Sequence, residues 1–222
     1  MESTRSNIRG SDYVGVFCTA TEKYVIAPSN INSHEFDVIS KIMGVEVVKL
    51  NISGSDIVGM LTRANSNGIV VSNLILDEEL EALKSAIDTN VHKLDSRLNA
   101  IGSNILANDK IAIINPEYTE HEEHQISDAL GVEAIRMEIG GLKTVGANNI
   151  LTNKGIVLNN RASDEDQQKI INATRFKPIM STGNTGAVSV GLAAIANSKG
   201  VLAGSNTTGF ELSRIIEALE GY

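Results

Sequence analysis

Short apolar runs recur along the chain at a nearly constant interval, each preceded by a polar cluster. The runs are Tyr24-Val25-Ile26-Ala27, Ile69-Val70-Val71, Ile111-Ala112-Ile113-Ile114, Ile156-Val157-Leu158 and Val201-Leu202-Ala203. Most are rich in β-branched residues, which predicts strands. The clusters before them are Thr21-Glu22-Lys23, Asn65-Ser66-Asn67-Gly68, Asn108-Asp109-Lys110, Asn153-Lys154-Gly155 and Asn197-Ser198-Lys199-Gly200. Asn, Asp and Gly tolerate the positive φ of tight hairpins, so each cluster is predicted as a hairpin turn. About six residues earlier stands a β-branched residue followed by glycine: Val14-Gly15, Val58-Gly59, Ile101-Gly102, Val145-Gly146 and Val190-Gly191, spaced by 43 to 45 residues. Such regularity signals an internal repeat.

A helix follows each second strand. Thr119 to Glu122, Ser163 to Asp166 and Thr208 to Glu211 each place a hydroxyl three residues before an acid, the capping-box spacing. Leu80, Leu83 and Ile87 form an apolar stripe at helical spacing, as do Phe210, Leu212, Ile215, Ile216 and Leu219. Units one to four then add a third strand, such as Val45-Glu46-Val47-Val48 or Val132-Glu133-Ala134-Ile135. The predicted unit is strand, turn, strand, helix, strand, over residues 13–56, 57–100, 101–144, 145–189 and 190–222. The fifth unit stops at its helix. Asn7 to Gly15 matches Asn51 to Gly59 at seven of nine positions, so an N-terminal strand at 7–12 is expected to complete the fifth unit. The expected fold class is α/β: a single domain of five-fold pseudosymmetry, closed into a ring with helices outside.

Hydrophobic residues make up 42% of the 222-residue chain, enough for one substantial core. The formal net charge of −8 and the lack of a basic stripe argue against binding free DNA or RNA and fit either a basic protein partner or simply solubility. Cys18 is the single cysteine, so no internal disulfide forms, as suits a reducing compartment. No apolar run approaches the roughly 20 residues of a membrane span, and the N-terminus lacks the apolar core of a signal peptide. A cytoplasmic protein is expected.

Beyond the repeat, Ile150 to Gly155 (Ile-Leu-Thr-Asn-Lys-Gly), Ile195 to Gly200 (Ile-Ala-Asn-Ser-Lys-Gly) and Thr207 to Leu212 (Thr-Thr-Gly-Phe-Glu-Leu) resemble the translation initiation factor 6 family, over essentially the whole chain. The chain ends directly after its last helix, which is similar to the archaeal type. The resemblance implies the pentein fold, a five-fold α-β propeller of strand-strand-helix-strand repeats closed by the N-terminal strand. It implies a factor that binds the large ribosomal subunit, mainly through basic ribosomal proteins near the sarcin–ricin loop, and sterically prevents joining of the small subunit, with a part in large-subunit maturation. It implies no reaction and no cofactor, and a closed ring gives no reason for more than a monomer. In the family, binding is associated with the hairpin rim. The matching positions are Asn65, Asn67, Asn108, Asp109, Asn153, Lys154, Asn197 and Lys199, with Arg63 just before the second turn.

Other chemistries weigh less. The pentein fold also houses guanidine-modifying hydrolases and transferases, which need a thiolate beside a base. Cys18 reads instead as a small buried residue within a strand, Val16-Phe17-Cys18, and no histidine is expected in a strand lining a channel. His34, His121 and His124 fall at or in helices and His92 just after one. His121 and His124 share a helical face, but among Glu120, Glu122 and Glu123 they read as a solvated first turn rather than a metal site. Gly140-Gly141 and Gly183 to Gly186 lack the Gly-Lys-Ser/Thr ending of a phosphate loop and read as links between units. A scaffold for an unrelated protein also fits the repeat, whereas a ring encircling nucleic acid is disfavoured by its charge and small size.

Overall fold

The computed structural model describes residues 1–221. Tyr222, the last residue of the expected fifth unit, lies outside the described residues. The chain opens with β1 (Glu2–Ser6). Unit one follows as α1 (Val14–Phe17), β2 (Thr19–Ala20), β3 (Tyr24–Ala27), α2 (Ser33–Met43) and β4 (Glu46–Lys49). Unit two is α3 (Val58–Leu61), β5 (Thr62–Ala64), β6 (Gly68–Ser72), α4 (Asp77–Ala86) and β7 (Asn90–Leu94). Unit three is α5 (Ile101–Asn104), β8 (Ile105–Ala107), β9 (Ile111–Ile114), α6 (Glu120–Leu130) and β10 (Glu133–Arg136). Unit four is α7 (Val145–Asn148), β11 (Ile150–Leu151), β12 (Ile156–Asn159), α8 (Asp164–Thr174) and β13 (Ile179–Ser181). Unit five is α9 (Val190–Ala193), β14 (Ala194–Ala196), β15 (Gly200–Gly204) and α10 (Gly209–Glu220).

Five three-stranded sheets result. In each, the first two strands form an antiparallel hairpin and the third pairs parallel to the middle one after the helical crossover, as in β2-β3-β4. Unit five takes its third strand from the other end of the chain: β1 runs parallel to β15, with Glu2 opposite Gly200 and Ser6 opposite Gly204. The expected closing strand at 7–12 is therefore displaced. Residues 8–11 are a tight turn, bridged between Ile8 and Ser11, and the same turn recurs at Ile52 to Ser55. The nine-residue match reports this turn. The true strand, Glu-Ser-Thr-Arg-Ser, is polar because it is a half-exposed edge, so it carries no apolar signal.

Each unit also opens differently from expectation. The Val-Gly or Ile-Gly pair starts a single helical turn, and Cys18 caps that turn rather than sitting in a strand. The short helices touch one another in sequence: α1 meets α3, α3 meets α5, α5 meets α7, α7 meets α9, and α9 meets α1. At these contacts backbone meets backbone. A Cβ placed on Gly15, Gly59, Gly102, Gly146 or Gly191 would fall against the carbonyl oxygen of the preceding glycine of the set, Gly191 preceding Gly15. The glycine period is thus a requirement of close approach.

The middle strands are buried on both faces, which is why they are continuous apolar runs. Alternate residues serve different helices. Val25 and Ala27 pack with Ile39, Ile42 and Met43 of their own unit's α2, while Tyr24 and Ile26 pack with Leu83 and Ile87 of unit two. In the same way Ala112 and Ile114 face Ile126 of α6, and Ile111 and Ile113 face Ile170 of α8. Each core therefore spans two units, and no unit buries its sheet alone. One expected core position fails: Phe210, at the start of α10, is 74% exposed, while Ile215 and Leu219 are buried.

Candidate functional site

The five hairpin turns form one rim. Each has two loop residues, closed by hydrogen bonds such as Asn65 N–H to the Gly68 carbonyl (3.0 Å) and Asn108 N–H to the Ile111 carbonyl (3.1 Å). None of these loop residues has a positive φ. The expected reason for their Asn and Gly content is therefore wrong. The asparagines act through their side chains. Asn65 Oδ1 accepts from the N–H groups of Asn67 and Gly68 (2.9 Å each), and Asn108 and Asn197 repeat this over their own turns. Their amide groups reach across to the next unit. Asn65 Nδ2 donates to the carbonyls of Asn108 and Leu130, Asn108 Nδ2 to Thr152, and Asn197 Nδ2 to Thr21 and Met43. In units one and four the equivalent residues are Thr21 and Thr152, whose hydroxyls accept the same turn amides. The turn glycines Gly68, Gly155 and Gly200 serve space instead, since a Cβ there would strike the carbonyls of Ala129, Ala218 and Ile42 in the next unit's helix.

This arrangement sorts the expected site residues. Asn65, Asn108 and Asn197 are 2%, 6% and 1% exposed, so they hold the rim together rather than face a partner. Asp109 and Asn153 are half-buried and joined: Asp109 accepts from Ser66 N–H (2.7 Å), Ser66 Oγ (2.8 Å) and Asn153 Nδ2 (2.7 Å). Glu22 does the same for Ser198. The exposed tips are Lys23, Asn67, Lys110, Lys154 and Lys199. Lys23, Lys154 and Lys199 lie along neighbouring units, donating to the carbonyls of Ser66, Ser198 and Gly44. Sequence reasoning passed over Lys23 and Lys110, although both occupy the third position of their turn clusters. Arg63 does not reach the rim. It points into a small axial cavity, where Nη2 donates to the Gly102 carbonyl.

The opposite rim carries the helix N-termini and the turns that link units, because a middle strand of four to five residues spans roughly 13–17 Å between them. The expected capping boxes at Thr119, Ser163 and Thr208 are present, as is one at Asn32. In four of the units the acid at the third helical position has a second role. Glu35 accepts from Arg9 N–H, Glu79 from Ser53 and Gly54, Asp166 from Gly140, and Glu211 from Thr185 and Gly186. Each carboxylate thus ties a helix start to the turn entering its own unit. Gly140-Gly141 and Gly183 to Gly186 are such turns, as their sequences suggest. The acids of the helix first turns, such as Asp77, Glu78, Glu120 and Asp164, gather on this rim and leave the hairpin rim with lysine tips.

Burial raises the Glu211 carboxyl, but hydrogen bonds from Thr208, Thr182 and Gly186 outweigh it and hold the group at about 2. Asp166 and Glu122 are lowered in the same way, against the opposing effect of burial. Folded values below unfolded ones mean that this stabilisation is complete above the unfolded carboxylate range near 4.5 and is lost as pH falls through the folded values. Thermal melts from pH 6 to pH 2 should fall steeply below pH 4.5. Glu211→Gln should flatten part of that fall, since it removes the group whose folded value is depressed. Equal slopes in the two proteins would remove Glu211 from the account.

Cys18 lies against the axial cavity and is buried, and burial, with Glu35 adding to it, pushes its thiol far above the usual range. A nucleophilic thiolate is disfavoured there. His34 lies in α2, His121 and His124 in α6, and His92 is in strand β7 rather than merely after a helix. His124 Nδ1 lies 2.8 Å from the Glu120 carbonyl on the exposed face of α6. No helix among the described residues is long and apolar enough to cross a membrane.

Comparison with known proteins agrees with this architecture. A model of the eIF-6 family matches residues 3–218. The Translation initiation factor 6 of Saccharolobus islandicus (strain L.S.2.15 / Lassen #1) is 35% identical over 221 residues, 99% of each chain. That of Pyrococcus abyssi is 36% identical over 224 residues, again 99% of each. That of Thermoplasma acidophilum is 40% identical over 127 residues, which span 57% of this chain and 59% of that protein. By class these relatives are translation initiation factors, drawn from archaea. The chain belongs to the eIF-6 family, as its repeat and turn motifs suggest.

Proposed function

We propose that the protein binds the large ribosomal subunit through its hairpin rim and sterically prevents joining of the small subunit. The carrying observation is the rim itself. Buried asparagine and threonine side chains and the carboxylates of Glu22 and Asp109 fix the turns to their neighbours before any partner arrives. Docking then costs little further ordering. In this reading the five units form one closed pentein propeller, a single domain supported by the unbroken succession of glycine contacts from unit to unit. It acts as a cytoplasmic monomer without cofactor, and a role in large-subunit maturation fits the same contact.

The lysine tips refine the expected partner. Net charge suggests at most a basic protein partner, and the family resemblance implies basic ribosomal proteins near the sarcin–ricin loop, but Lys23, Lys110, Lys154 and Lys199 suit phosphate or carboxylate groups on the subunit surface. Half-buried Glu22 and Asp109, between the tips, suit basic side chains. Sucrose-gradient co-sedimentation with separated archaeal subunits tests the reading. Wild-type protein should travel with the large subunit only and reduce the yield of joined ribosomes. Lys110→Glu, Lys154→Glu and Lys199→Glu together should weaken binding at least tenfold with an unchanged melt. Asn65→Ala should instead lower stability by roughly 2–3 kcal/mol, because it orphans buried carbonyls and turn amides. Wild-type protein that binds neither subunit at low and moderate salt would sink the proposal. Cys18→Ala then separates the remaining readings: loss of an arginine-modifying activity would point to a pentein enzyme, and no change to a scaffold.

A further inference from the structure

A small cavity lies on the axis between the layer of five glycines and the hairpin rim, lined in part by Cys18, Thr19, Arg63, Gly146, Asn149 and Gly191. Its volume is about 40 Å³. On that measure one water needs roughly 10–15 Å³, so the space holds about three waters or one monatomic ion with a little to spare. It leaves little room for a tetrahedral oxyanion.

Among the described residues, Arg63 is the only charged one lining it, and no carboxylate lines it. The guanidinium lies against the glycine layer: Nη2 donates to the Gly102 carbonyl, and a Cβ on Gly146 would come within 2.9 Å of that nitrogen. Nε is buried and has no hydrogen-bond partner. Burial lowers the group to about 10, which still leaves it charged at neutral pH. Arg63 is half-buried as a residue with its Nε sealed from solvent, and a cation so placed without a counter-charge is costly, since backbone carbonyls supply only partial negative charge. Cys18 is the other titratable group lining the cavity, and its thiol stays protonated, so it offers no anion of its own.

We propose that this axial cavity is a site for one small monovalent anion of the halide class, held by the Arg63 guanidinium. The anion neutralises the charge that Arg63 brings to this cavity, whereas Glu22 and Asp109 line the adjoining space toward the hairpin rim. It thereby ties the stability of the ring to halide concentration, independently of the rim that meets the ribosome.

Bromide is the probe. Crystals of the full chain grown in sodium bromide should show an anomalous peak within hydrogen-bond distance of the guanidinium. In solution, melting of the wild type at constant ionic strength should rise as bromide or chloride replaces acetate. Arg63→Met should lose both the peak and the halide dependence. Water-only density in the wild type, or a halide dependence equal in the two proteins, overturns the proposal. A peak at molar bromide with no effect on melting up to 0.3 M is binding at crystal concentration only and also overturns it. The wild-type crystal decides even if Arg63→Met fails to fold. Subunit binding is read separately, so failure here leaves the ribosomal reading standing.

Discussion

Gly102→Ala is expected to be among the most damaging single substitutions in the chain. Its new Cβ would lie against the Gly59 carbonyl oxygen, 2.5 Å from the Thr62 carbonyl oxygen and 3.0 Å from the Gly59 carbonyl carbon. All three are backbone atoms of α3 and β5, so no rotamer change relieves the clash. Overpacking costs typically about 1–3 kcal/mol where side chains can yield. Here the cost should reach at least the upper end, a fall of roughly 6–12 °C in melting temperature for a domain of this size. Gly209→Ala is the matched control. Nothing lies within 4 Å of its Cβ at the start of α10, so stability should hold or rise slightly. Differential scanning calorimetry of both proteins decides the matter. A Gly102→Ala protein melting within about 2 °C of wild type would mean that the glycine layer is looser than its geometry.

Removing residues 1–6 should have an effect of similar size by a different route. β1 supplies the third strand of the fifth sheet, with five residues in register against β15, and Arg5 donates to the Thr207 carbonyl at 3.0 Å. At roughly 0.5–1.5 kcal/mol for each hydrogen bond, several kcal/mol are lost. That corresponds to a fall of roughly 10 °C. The deletion also leaves β15, buried along its whole length, with an unpaired edge, which invites association between molecules. Size-exclusion chromatography should therefore show concentration-dependent oligomers, and a peptide of residues 1–6 added in excess should partly reverse them. A truncated protein that stays monomeric and melts like the wild type would show that β1 is dispensable for closing the fifth unit.

Much of the architecture was legible. The glycine interval of 43 to 45 residues and the apolar runs located five units, because a repeated backbone contact and a doubly buried strand each demand the same residue types every time. The capping boxes at Thr119, Ser163 and Thr208 were legible for the same reason: they are local, and local hydrogen bonds leave a local spacing. The closing strand was misplaced because Glu2–Ser6 is a polar edge whose strand character comes from β15, some two hundred residues away. The site was read less well. Asn65, Asn108 and Asn197 stood out as turn formers, yet nothing local tells whether such a side chain faces solvent or a neighbouring unit. Thr21 and Thr152 escaped because they meet the same need with a different residue type.

What the sequence determined by itself is therefore the unit, its number and its family, since these follow from periodic demands written into every copy. What the tertiary structure alone decided is the direction of each side chain. It turned three asparagines into the bonds between units, left lysines at the tips, sent Arg63 into the axis, and left Phe210 in solvent. Those outcomes depend on which unit lies next to which. A chain of near-identical units can specify that only when all of them pack together.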